Sequence, residues 1–232
     1  MNAYFRLAIA PALMAVRERA ATIVAIQACG VVLVVSYYAL PGMRSAMDVV
    51  EQAKASHDIL FALVGSAVAG AVVPEIARAV VGERLWTQER FRSFLHIAVT
   101  FAINGLALDL FYQLLGVLVG RGTDWATVLP KMALDAFVFT PFLSIPIFVV
   151  MVVLREEGWS LRRFACRIDR TLISDRIVPI LIPCWCYWLP LQACLYSLPS
   201  NLQYPFALVC ISAWSLVLVF VAKRMDRETG RE

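Results

Sequence analysis

Only two histidines, His57 and His96, occur in this 232-residue chain, and charged residues make up just 16% of it. Soluble domains carry about 25% charged residues. These shortages remove most hydrolytic and metal-dependent chemistry. There is no His-Glu-x-x-His pair for zinc, no Gly-rich phosphate loop and no Gly-x-Ser-x-Gly nucleophile turn. His57 falls in a polar link and His96 near the far edge of an apolar run, which keeps them out of one site. The six cysteines do not fill the gap. Cys184-Trp185-Cys186 leaves one residue between its thiols, with no histidine nearby, whereas zinc ligand pairs usually leave two to four. Cys29, Cys194 and Cys210 also lie inside apolar stretches, where cysteine behaves as a small hydrophobe. No catalytic residue, metal or cofactor is expected. The net charge of +4 is too small for a nucleic-acid face, and no nucleic-acid partner is expected.

Apolar residues are what the chain has in plenty, at 61% of the total and a mean hydropathy of +0.74. They gather into six stretches, about 21–41, 59–80, 93–119, 131–154, 177–198 and 204–222. A bilayer core of about 30 Å needs roughly 20 apolar helical residues to cross. The basic residues alternate with the stretches. Of the 21 Lys and Arg, only Arg44, Lys54, Arg121 and Lys131 fall in the first, third and fifth links. The remaining 17 fall in the two tails and the second and fourth links. That asymmetry predicts both termini on the cytoplasm-like side. The fold class expected is all-α: a polytopic membrane helix bundle of about six transmembrane helices, with the lipid bilayer as its first partner. Cys166 then lies on the side where thiols stay reduced. The first apolar run begins near residue 20 and is too long for a signal core, so it is expected to stay as an anchor.

Residues 1–20 mix Phe5, Leu7, Ile9 and Leu13 with arginines and read as a short interfacial helix. The first span is expected to close at Tyr37-Tyr38 and Pro41-Gly42, and the polar residues 43–58 to form an outer loop or short exposed helix. In the second span Gly65 with Ala69, and Ser66 with Gly70, place small residues four apart, a spacing that lets helices approach closely in lipid. Glu75 and Arg78 are spaced to pair at its cytoplasmic edge. Arg155 to Arg176 is rich in arginine but interrupted by Glu156, Glu157, Asp169 and Asp175. It reads as a solvated juxtamembrane helix, with lipid-headgroup recognition as the sharper alternative.

Four segments carry a resemblance. Lys131-Met132-Ala133-Leu134-Asp135, continuing to Phe139-Thr140-Pro141, resembles the Lys-Met-x-x-Asp-x-x-x-Phe-x-Pro segment of the Mpv-seventeen and peroxisomal membrane protein twenty-two family of small membrane proteins. Asn104-Gly105 with Phe111-Tyr112 and Leu115 is similar to its Gly-Pro…Trp-Tyr-x-x-Leu segment. Trp188-Leu189-Pro190-Leu191-Gln192 resembles its Trp-Pro-x-x-Gln. Tyr196-Ser197-Leu198-Pro199, with Trp214 fifteen residues on, resembles its ending. The likeness covers roughly 59–224, which makes 1–58 an addition (interfacial segment, extra span and outer loop) and 225–232 a charged tail. The family's Gly-Asp has no counterpart here, and its Trp-Pro is split by Leu189. The resemblance implies no catalytic activity and a membrane location. A divergent member in a bacterial cytoplasmic membrane is the first reading, and a mitochondrial inner or peroxisomal membrane the other. It also implies a channel or passage for small solutes.

Charged groups at membrane depth cost at least about 2.5–3.5 kcal/mol, so they face another helix or a wet cavity. Asn104, Asp109, Gln113, Asp135 and Gln192 are therefore the candidates for pore lining or helix bridging. From a start near Phe94, Asp109 lies about 22 Å along its helix, and Asp135 about 6 Å into its own. The two carboxylates are expected either to line an outward vestibule or to act as structural glue, Asp135 by capping its helix or pairing with Lys131 at i+4. Pro141, Pro146, Pro183 and Pro190 free carbonyl groups and are candidate hinges, or simple packing bends. The function expected is a non-enzymatic pore for small solutes, with a homo-oligomer as one form. The alternative is a non-conducting scaffold or assembly factor that binds through its small-residue faces.

Overall fold

A computed structural model describes residues 16–18, 20–80, 87–167 and 177–228, with backbone alone at 178–179 and 217–228. Most of the expected interfacial helix, Arg84, Arg170, Arg176 and the end of the charged tail lie outside these residues. The described residues are helical and contain no strand: α1 (Ala20–Ala39), α2 (Pro41–Val80), α3 (Gln88–Leu118), α4 (Trp125–Glu156), α5 (Leu161–Arg167), α6 (Val178–Tyr196) and α7 (Ser200–Glu228). Helices α1 to α4 are each long and apolar enough to cross a membrane, and Ile180–Tyr196 is a shorter apolar helix. The protein is an integral membrane protein. Helix α1 shows why: it buries only Ile23 and Gly30, while Val24, Val31, Val32 and Val35 are exposed. A helix apolar all round needs lipid on its outer face.

The structure sharpens the expected boundaries at two places. The link at 43–58 takes the short-helix alternative up to His57, with Pro41 at the first helical position, where its missing N–H costs nothing. The chain bends at His57, whose φ of −137° and ψ of 29° are non-helical. Helix α4 starts at Trp125. Asp124 caps it: one carboxylate oxygen accepts from the Thr127 amide at 3.1 Å and the other from its hydroxyl at 2.9 Å. These bonds hold the Asp124 carboxyl below the usual carboxylate range. Asp135 is thus about 15 Å into α4 and caps nothing.

Two π-helical segments interrupt the long helices, Val68–Val72 in α2 and Asp135–Ser144 in α4. Each is associated with proline. Pro74 follows the first by two residues, and Pro141 lies inside the second. Proline cannot donate the next helical bond, and a wider turn is one way to absorb that loss.

The chain divides into two compact units. One comprises the residues through Leu40 with Phe111–Ser200, and the other Pro41–Leu110 with the residues from Asn201. In the first, α6 packs against α1 and against the N-terminal and π-helical parts of α4, burying Tyr187, Leu191, Leu195 and Tyr196. In the second, small residues make close contacts. A Cβ on Gly65 would meet Leu208, one on Gly70 would meet the Phe101 ring, and one on Gly105 would lie 1.8 Å from Ser66 Oγ. The small-residue face of α2 is filled by the chain's own side chains.

Candidate functional site

The first unit centres on Asp135, which is 4% exposed. The Tyr196 hydroxyl donates to its Oδ2 at 2.7 Å, Thr140 Oγ1 lies 3.4 Å from Oδ1, and the Gln192 amide also bonds the carboxylate. Lys131 and Asp135 are one turn apart on α4, as are Gln192 and Tyr196 on α6. Helical spacing therefore sets two rungs of one ladder against each other. Tyr112 supports the arrangement from α3, with its ring edge-on to Tyr196 at 5.7 Å.

Lys131 does not pair with Asp135. Its Nζ lies 6.0 Å from the Tyr196 ring centre and has no hydrogen-bond partner, although the residue is only 1% exposed. The Tyr196 hydroxyl occupies the carboxylate oxygen in its place. Gln192 Oε1, also buried, has no partner. Two orphaned polar atoms, one of them an ammonium, thus belong to residues one helical turn before Asp135 and Tyr196. Buried polar groups nearly always have a partner in protein or water.

Two further contacts in this unit serve the prolines. Pro190 has no N–H to give the carbonyl of Cys186, four residues back, and Gln27 Nε2 donates to that carbonyl at 2.9 Å and to Tyr187 O at 3.2 Å. Within the π-helical segment Pro141 fails to reach Ala136, five residues back, and Trp185 Nε1 donates there at 2.8 Å. At Pro141 and Pro190 the freed carbonyls are thus satisfied by side chains of neighbouring helices. Pro146 opens the last section of α4, and Pro183 lies inside α6. Sequence reading missed Gln27 and Trp185. The available signal was a donor side chain on another span and a proline four or five residues beyond its acceptor.

In the second unit Asp109, 2% exposed, is paired with Lys54 at 2.9 Å. Lys54 also reaches Asp58 at 3.0 Å and lies 5.6 Å from the Tyr204 ring centre. Tyr204 donates to Ala62 O at 2.9 Å, which leaves its oxygen to accept from Ser66 Oγ at 2.7 Å. Asn104 is buried with its Oδ1 unpartnered. Gln113 is exposed and belongs to the first unit. Glu75 pairs with Arg78 at 3.4 Å as the spacing predicts, and more closely with Arg90 at 2.7 Å. Of the five candidates, Asp135 and Gln192 come together, while Asn104 and Asp109 sit in the other unit. No three His, Cys, Asp or Glu side chains gather to hold a metal among the described residues.

Comparison with known proteins adds one likeness. Over 110 residues, 46% of this chain, it is 33% identical to Protein SYM1 of Eremothecium gossypii. The chain spans about 55% of that protein's length in the match. No family model matches the chain. No solved structure matches it either.

Proposed function

We propose that this integral membrane protein is a non-enzymatic passage for small polar solutes, with Lys131, Asp135 and Gln192 as its solute-facing groups. The observation that carries the reading is the pair of buried atoms without partners, Lys131 Nζ and Gln192 Oε1, beside Asp135. Their hydrogen-bonding capacity is unmet at membrane depth, and a hydrated solute can meet it. The π-helical backbone around Asp135 adds support, since such segments occur often at functional sites. So do the likeness to Protein SYM1 and the four segments resembling the Mpv-seventeen family.

The proposal has six helices crossing with both termini on the cytoplasm-like side, supported by the alternation of basic links. The likeness to a yeast protein favours no bacterial host, and an organellar membrane fits it as well. Copies of the chain associating in the bilayer form part of the proposal, to be read by cross-linking. The scaffold alternative loses the contact surface expected for it, because Gly65 and Gly70 are already covered by Leu208 and Phe101.

The test is solute efflux from proteoliposomes together with planar-bilayer conductance. Openings whose ion preference shifts in Lys131→Met and Asp135→Asn, and persists in Asp109→Asn, support the reading. Folded protein that gives silent bilayers and no efflux overturns it. Recovery of one stoichiometric cross-linked partner alongside that silence favours the scaffold.

A further inference from the structure

We infer that the link after α4 carries a headgroup site for anionic phospholipid, formed by Arg162, Arg163 and Arg167 beside the exposed Trp159. The local geometry follows from the sequence. Helix α4 ends in a turn in which the Trp159 amide reaches back to Leu154 O at 2.7 Å and the Gly158 amide to Arg155 O at 3.0 Å. That pattern wants a left-handed residue, and Gly158 supplies it at φ 60°. Trp159 follows, also left-handed at φ 63°, an uncommon conformation for a residue with a Cβ. Its indole is left 56% exposed, with Leu161 exposed at 72% next to it. Ser160 then opens α5 by accepting from the Arg163 amide at 3.4 Å.

Helix α5 is held in one orientation. Phe164 packs on the stripe Ile145, Val149 and Val153 of α4. Arg162, Arg163, Cys166 and Arg167 are left exposed, and with Glu157 they line an open cavity of about 510 Å³. Arg167 Nε is paired with Glu157 at 2.8 Å, while Arg162 and Arg163 have no acidic partner among the described residues. Three guanidinium groups against one carboxylate leave the cavity cationic, and the guanidinium fork matches phosphate oxygens in pairs. The cavity follows directly on an apolar helix long enough to cross the bilayer. An exposed Trp and Leu there suit the acyl–headgroup boundary, where indole rings gather. Phosphate in the cavity with apolar residues beside it describes a lipid better than a soluble anion.

The experiment is native mass spectrometry of the purified full chain in neutral detergent. It is titrated separately with phosphatidylglycerol, phosphatidic acid and phosphatidylcholine, with and without excess inorganic phosphate. The wild type should retain the two anionic lipids roughly tenfold better than phosphatidylcholine. R162Q/R163Q should lose most of that preference, and R121Q, a basic residue outside the cavity, should keep it. Glu157→Gln, which releases Arg167, should raise retention of anionic lipid and so reports on the site even if the double variant folds poorly. Equal retention of neutral and anionic lipid, an unchanged R162Q/R163Q, or displacement of the lipid by inorganic phosphate would each overturn the inference.

Discussion

Lys54 Nζ stands 2.9 Å from Oδ1 of Asp109, and the two residues, 55 apart in the chain, are joined in one compact unit. The Asp109 side chain is 3% exposed and that of Lys54 14%. Lys54 lies before the His57 bend of α2 and brings a positive charge to this buried carboxylate.

Removing either member should therefore cost more than removing both. Lys54→Met leaves the Asp109 carboxylate without its counter-charge and should destabilise by about 3 kcal/mol, the low end for a broken buried pair. Asp109→Leu should cost less than that, because Asp58 still holds the ammonium at 3.0 Å. The double variant should recover most of the loss. Denaturation midpoints of the four proteins in one detergent measure the coupling. Additive losses would mean that the pair contributes nothing as a pair.

The contact between Gln27 and the Cys186 carbonyl yields a prediction about proline. Gln27→Leu leaves that carbonyl without a donor, because Pro190 supplies none, and should cost about 1 kcal/mol. Pro190→Ala restores an amide that can bond the same carbonyl. In that background Gln27→Leu should cost clearly less. Equal losses in both backgrounds, read from unfolding midpoints, would assign Gln27 a packing role only.

Much of this architecture is legible in the sequence: the first four apolar stretches fall in helices long and apolar enough to cross a membrane, and the last two in α6 and α7. The less legible contacts are those where polarity and burial part company. Residues 43–58 are polar enough to read as a loop or a short exposed helix; they are helical, and Lys54 among them meets Asp109. Composition carries no trace of a partner 55 residues away. Lys131 and Asp135 have ideal spacing for an ion pair, and local reasoning joins them. Tyr196, 61 residues beyond Asp135, takes the carboxylate instead. The prolines are visible as sources of loose carbonyls. The donors that satisfy two of them, Gln27 and Trp185, come from other helices and are fixed by packing alone.

Lys131 offers the sharpest separation of stability from function. Its ammonium is buried, has no hydrogen-bond partner and is offset by the face of Tyr196 at 6.0 Å and by the charge of Asp124. A cation over an aromatic ring gains about 0.5–2 kcal/mol, whereas desolvating an ion costs several kcal/mol even after relaxation. The balance is unfavourable, so Lys131→Met, which keeps the length of the side chain and discards its charge, should raise stability by about 1–3 kcal/mol. The same substitution should lower efflux or change ion preference in proteoliposomes, if the ammonium serves solutes and not the fold. Lys131→Arg should retain more of the efflux and little of the added stability. A fall in the unfolding midpoint of Lys131→Met would show that the ammonium holds the helices together, and the solute site would have to be sought elsewhere.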